Sequence, residues 1–205
     1  MSANESPSGC NFEAICFSTN FQNFSAISIM KQYFMSTNCL DINYVNQSHV
    51  TFKHSLSLGK KNGQIDCDNS YFEVTPLSKN VKIKDETDCF IIFFDLEYND
   101  SLDELNKILK MISDICEIDR KIYVITFYTD ESNIKSEIDE ENLKNFFGRY
   151  MLNSYDISKV NMSSQDELTN KIDIITKEAL EEKSLINSDV KDFDNDKSKS
   201  ACLIY

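Results

Sequence analysis

The residues best able to do chemistry in this chain are few and scattered. The sequence closes on KSKSACLIY, and Cys202-Leu203-Ile204-Tyr205 has the form C-a-a-X. That pattern makes the Cys202 thiol an acceptor for a prenyl group, and the bulky final Tyr205 leans toward geranylgeranyl over farnesyl. One such lipid gives modest, reversible membrane binding unless a second signal helps. Lys183, Lys191, Lys197 and Lys199 are offset by Asp189, Asp192, Asp194 and Asp196, so the electrostatic assistance is small. No second cysteine lies close before Cys202 to take a palmitoyl group. His49 and His54 sit at odd spacing on a strand pattern and point to opposite faces. Neither has a cysteine or second histidine beside it in sequence, which argues against a metal site or a Cys/His catalytic pair. Asp139-Glu140-Glu141 reads as the favourable acidic start of a helix.

Composition narrows the classes. The chain has 205 residues, 34 acidic against 21 basic, and a net charge of −13. Nucleic-acid binding needs a basic footprint, which this balance does not supply. No run of 18 apolar residues is present to span a membrane. The opening MSANESPSGCNFEAIC lacks the basic and apolar regions of a secretory signal. The seven cysteines, at 10, 16, 39, 67, 89, 116 and 202, include no CxxC pair. A reduced, cytoplasmic chain is the expectation, with most thiols acting as small apolar residues.

The elements follow from hydrophobic period. Residues 1–11 read as a disordered leader, 12–182 as the folded domain, and 183–205 as a flexible tail ending in the prenylation motif. Phe90–Phe94 and Ile122–Phe127 are continuous apolar runs, as expected for strands buried on both faces of a parallel sheet. Residues 12–17 form a third run of this kind. Between the two strong runs, Leu102, Leu105, Ile108, Leu109, Ile112 and Ile115 recur at helical spacing, with Ser101 and Glu104 as a capping box. Strand, helix and strand make a βαβ crossover. Further helices are predicted from Ser25 to about Met35, over 139–150, and after a Ser164/Glu167 capping box. Val50, Phe52, Leu56 and Leu58 alternate before Asn62-Gly63, and QIDCDNSYFEV returns as a second strand of a hairpin. The expected fold class is α/β: a doubly wound, mostly parallel six-stranded sheet with one antiparallel edge strand and helices on both faces.

This order of elements, this size and the C-terminal motif together resemble the Ras superfamily of small GTPases. TDCFIIFFDLEYNDSLDEL at 87–105 looks like that family's fourth strand and following helix. KIYVITFYTDE at 121–131 is similar to the strand that ends in the guanine-binding N-K-x-D motif. SYDISK at 154–159 looks like the loop bearing S-A-K. The resemblance implies a small-GTPase-like P-loop fold and a vestigial GTP site. Ser25 would stand at the Mg²⁺ hydroxyl, Asp130 at the guanine-binding carboxylate, and Ser158 and Lys159 in the base loop.

The nucleotide motifs are where the chain departs. A phosphate loop needs glycines that let backbone amides close on phosphate, a lysine, and a metal-binding hydroxyl. A gapless match places Ser18 and Asn23 at the two glycines and Phe24 at the lysine. Only the Ser25 hydroxyl survives, and Phe21 and Phe24 stand where charge would lie, an unfavourable setting for phosphate. D-x-x-G reads with Val74 for its Asp and Leu77 for its Gly. N-K-x-D reads Phe127-Tyr128-Thr129-Asp130, and S-A-K reads Ile157-Ser158-Lys159. No catalytic glutamine is recognisable, and Asn43 lies near the place of the first-switch threonine.

The expected function is a Ras-like, prenyl-anchored signalling protein, a pseudoGTPase working through contact with an effector or regulatory protein at the cytosolic face of a membrane. GTPase activity is expected to be absent or very low, with no cofactor and no nucleic-acid partner. The alternative is a divergent but genuine switch that binds GTP or GDP with Mg²⁺ through Ser25, Asp130 and Lys159. A third reading is an α/β scaffold related by topology alone.

Overall fold

The computed structural model describes residues 10–19, 25–36, 41–44, 50–54, 67–75, 87–98, 100–115, 120–134, 140–152 and 155–200. Seven strands form one sheet: β1 (Cys10–Ser18), β2 (Asp41–Tyr44), β3 (Val50–His54), β4 (Cys67–Val74), β5 (Cys89–Asp95), β6 (Lys121–Tyr128) and β7 (Tyr155–Asn161). Four α-helices accompany them: α1 (Ala26–Ser36), α2 (Ser101–Ile115), α3 (Glu140–Arg149) and α4 (Gln165–Ser200). The strand order is β2-β3-β4-β1-β5-β6-β7. From β4 through β7 every neighbouring pair is parallel. The expected α/β class, doubly wound and mostly parallel, is the observed one, and it is compatible with a P-loop-type fold. β3 is the strand that runs against its neighbours, and the short β2 pairs outside it, so the sheet has a seventh strand beyond the six expected and the antiparallel strand lies one place in from the edge. Phe52 lies opposite Phe72 in the expected hairpin. Its turn residues, Asn62 and Gly63 included, fall outside the described residues.

The apolar runs explain the layering. In β5, Cys89, Ile91 and Phe93 enter one core, while Phe90, Ile92 and Phe94 enter the other. All six are fully buried, as the unbroken run requires. The first core is covered by α1 and α4 and contains Phe12, Tyr33, Phe34, Phe52 and Phe72. Phe34 stacks on Phe52 with centroids 5.1 Å apart, and Phe12 meets Phe72 edge-on at 5.4 Å. Such contacts add about 0.5–1.5 kcal/mol each beyond area burial. The second core is covered by α2 and α3, where Leu105, Ile108, Leu109 and Ile112 form the buried stripe read from the sequence. Burying each such side chain is worth roughly 1.5–3 kcal/mol.

Helix starts differ in detail from the pattern. Ser101 does not cap α2: it is the first helical residue, and Asp100 precedes it with its carbonyl accepting from the Glu104 amide at 3.1 Å. At α4 the Ser164 hydroxyl accepts from the Glu167 amide at 3.4 Å, while the Glu167 carboxylate turns to the Asn161 amide at 3.0 Å. Only half of that capping box closes. Where a tail was expected from residue 183, the helical backbone of α4 continues to Ser200. Among the described residues, no helix is long and apolar enough to cross a membrane.

Candidate functional site at the carboxyl ends of the strands

In an open parallel sheet, ligands bind outside the carboxyl ends of the strands where the order reverses. Here that point is β1, with β4 on one side and β5 on the other. The residues around it come from the ends of β1, β5, β6 and β7 and from the start of α1.

Thr19 follows β1 and is buried. Its amide donates to the Phe93 carbonyl at 3.0 Å, and its hydroxyl accepts from the Asp95 amide at 3.2 Å. The same hydroxyl lies 3.5 Å from Oγ of the buried Ser101. One threonine thus ties the end of β1 to the end of β5 and the start of α2. The Asp95 carboxylate accepts from the Glu97 amide at 2.8 Å. Burial raises the Asp95 carboxyl above its ordinary range despite hydrogen bonds that oppose it.

Glu97 reaches across to the turn after β6. Its Oε1 accepts from the amides of Thr129 at 3.0 Å and Asp130 at 2.9 Å, and Oε2 from the Thr129 hydroxyl at 2.8 Å. Partial burial pulls its carboxyl upward, but these donors outweigh that and hold it below the usual glutamate range. The turn that would present a base-binding carboxylate is therefore pinned by a second carboxylate from β5.

The four residues that the resemblance placed in a nucleotide site, Ser25, Asp130, Ser158 and Lys159, each have a partner inside the chain. Ser25 and Ser28 cap α1 reciprocally: the Ser25 amide donates to Ser28 Oγ at 2.8 Å, and the Ser28 amide to Ser25 Oγ at 3.2 Å. Asp130 is exposed and caps the short 3-10 turn Glu131–Asn133, accepting from the Ser132 amide at 2.9 Å and the Ser132 hydroxyl at 2.8 Å. Those two donors lower its carboxyl below the ordinary aspartate range. Ser158 and Lys159 lie within β7 and not in the loop beyond it. Ser158 Oγ is 3.5 Å from the Val124 carbonyl. The Lys159 ammonium sits 4.5 Å from the Tyr128 ring centroid and 3.9 Å from the Glu131 carboxylate. Asp130 and Lys159 thus approach the same corner, whereas Ser25 belongs to α1 on the other side of β1. Phe127 is buried and contributes packing. Val74 is likewise buried at the end of β4.

Residues 20–24, with Phe21 and Phe24, lie outside the described residues, as do Leu77, His49 and Cys202. Among the described residues, no group of three or more His, Cys, Asp or Glu side chains is placed to hold a metal ion.

Glu97, Thr19 and the hydroxyl of Ser101 were not legible as site residues. Glu97 and the turn it holds are 32 and 33 residues apart, and no local spacing couples them. The one signal was negative: a charged residue immediately after a buried apolar run needs a polar partner. No protein-family model and no curated protein sequence matches the chain.

Proposed function

We propose that this chain is a Ras-like protein of the small-GTPase superfamily, attached to the cytosolic face of a membrane through prenylated Cys202, that signals by protein–protein contact and not by turning over GTP. The observation that carries this reading is the self-satisfied carboxyl edge of the sheet. Ser25 caps α1, Asp130 caps its own turn, and Lys159 faces Tyr128 and Glu131. A nucleotide would have to break these contacts without the lysine and glycines that normally repay such a cost. The missing charge-assisted hydrogen bonds amount to about 1.5–3 kcal/mol each. Several together lower affinity by many decades, at about 1.4 kcal/mol per factor of ten. The strand order, with β1 at the reversal point and β3 antiparallel, supports the superfamily assignment.

The second reading, a divergent switch, is favoured by one feature: Asp130 and Lys159 lie at one corner of the sheet and are exposed. Titrating Mg²⁺ with GTP or GDP while following thermal unfolding separates the two. A ligand at a hundredfold its Kd would stabilise the fold by about 2.7 kcal/mol. For a domain of this size that is a rise of roughly 5–10 °C. We expect no rise at micromolar nucleotide. A saturable rise that Asp130→Ala abolishes would replace the pseudoGTPase with the switch.

A further inference from the structure

β7 is the last strand of the sheet, and among the described residues β6 is the strand it pairs with. The bonds between them reveal which of its backbone groups face β6. The Met162 amide donates to the Tyr128 carbonyl at 2.9 Å, and the Ser158 carbonyl accepts from the Thr126 hydroxyl at 3.0 Å. On the far side of β6, the Phe127 carbonyl accepts from the Leu96 amide, just past β5, at 2.9 Å. Backbone groups alternate in direction along a strand. Asp156, Ser158 and Val160 therefore turn their amides and carbonyls toward β6, while Tyr155, Ile157, Lys159 and Asn161 turn theirs outward. The outward Asn161 amide is met by Glu167 Oε2 at 3.0 Å. Among the described residues, nothing bonds the outward amides and carbonyls of Tyr155, Ile157 and Lys159. Apolar surface flanks them. Tyr155 and Ile157 are half-buried against the second core. On the other face, Glu167 and Lys171 of α4 reach Asn161 and Asp156, so their row of the helix runs along β7. Ile174 comes next in that row by helical spacing and is 48% exposed.

We propose that the outer edge of β7 takes an extended, basic segment of a partner protein, added to the sheet as a further strand. An unpaired strand edge is a template for another strand. Main-chain bonds to Tyr155, Ile157 and Lys159 supply affinity, and alternate side chains of the added strand cover Ile174 on one face and Ile157 on the other. Charge selects the occupant. A second copy of the chain would bring a net charge of −13 against −13, whereas a basic segment is drawn in. Glu131 and Glu167 stand exposed at the carboxyl end of this edge. Lys159, the basic residue of the strand, is turned to Tyr128 and Glu131. This surface goes beyond the function proposed above and needs neither the prenyl group nor an empty nucleotide site.

The test titrates the full chain with a short capped peptide of alternating lysine and valine while hydrogen exchange is read amide by amide. In the free chain, the amides of Tyr155, Ile157 and Lys159 should exchange at least about tenfold faster than those of Asp156, Ser158 and Val160, which β6 holds. The peptide should slow the first set and leave the second unchanged. A twin peptide N-methylated along its backbone keeps the charge and the apolar side chains but donates no main-chain hydrogen bond. It should bind at least about tenfold more weakly. A twin with glutamate for lysine should also bind more weakly, and added salt should weaken the lysine peptide. Lys159→Pro deletes an outward amide, costs no bond to β6 and makes the chain more acidic. Weaker binding by that variant, at an unchanged melting temperature, is therefore not an effect of charge. Should the variant fail to fold, the methylated twin makes the same comparison on the parent chain. Equal protection of the two sets in the free chain, equal binding of the methylated or glutamate twin, or no binding of the lysine peptide would each overturn the proposal. A dimer seen by light scattering and dissolved by Lys159→Pro would overturn it too, by giving the edge to a second copy.

Discussion

At the carboxyl end of the sheet, Thr19, Asp95, Ser101 and Glu97 join β1, β5, β6 and α2 through hydroxyls, amides and one shared carboxylate. At the amino end, Asp88, Lys121, Glu178, Glu182 and Lys183 join β1, β5 and β6 to α4 through charge pairs. The two ends fasten the same strands with different chemistry. Directional bonds to backbone amides hold loops in one conformation, because an unpaired buried amide is costly. Ion pairs hold a helix against a sheet with looser geometry, and salt screens them where they are exposed. The rigid end is the one where α/β folds place ligands. Among the described residues, the side chains at that end hydrogen-bond to one another and to nearby backbone amides.

Three substitutions would break or sharpen this contrast. Asp88→Ala should have the largest effect. It removes an acceptor of both Lys183 and the Glu13 amide, and the Asp88 side chain is only 12% exposed. Losing one partner of a mostly buried pair costs about 2–3 kcal/mol, seen as a lower denaturant midpoint. A change below about 0.5 kcal/mol would mean that the amino-end clasp is ornamental.

Thr19→Val keeps the shape and deletes the hydroxyl. The Asp95 amide and the buried Ser101 lose a partner. About 1–2 kcal/mol should be lost, with hydrogen exchange at the Asp95 amide speeding up more than at Ile91 in the middle of β5. Unchanged exchange at Asp95 would remove Thr19 from the latch.

Glu97→Gln should cost least, on the order of 1 kcal/mol at neutral pH, because Glu97 is partly exposed. Its signature is the pH dependence. The native Glu97 carboxyl is lowered, so its contribution is complete above the ordinary glutamate range and is lost as pH falls through the lowered value. Asp95, raised by burial, has the opposite sign: as pH falls through its raised value, protonation favours the fold. The variant should therefore lose less stability than the parent between pH 5 and pH 3. Parallel acid limbs in the two chains would show that Glu97 is not the group titrating there.

Much of the architecture was legible from pattern alone. Phe90–Phe94 and Ile122–Phe127 read as strands buried on both faces, as they are, and Leu105, Ile108 and Leu109 marked the buried stripe of α2. These signals are strong because burial is imposed residue by residue with a fixed period. The short β2 was not legible, since Asp41–Tyr44 has only four residues and pairs outside β3 on a single side. Ser101 was misread as a cap because its type suits one, whereas its hydroxyl is drawn to Thr19, 82 residues away.

The sequence by itself determined the class of the fold, the lack of a G-x-x-x-x-G-K-S/T motif, and the net charge of −13. Each is a property of residue type or of local spacing, and no distant contact is needed to state it. Tertiary structure alone decided that Glu97 holds the turn of Asp130, that Thr19 joins β1 to β5, and that Asp88 meets Lys183 95 residues later. Such pairings arise only when parallel strands bring their ends together. A crossover places residues side by side in space with no periodic trace along the chain.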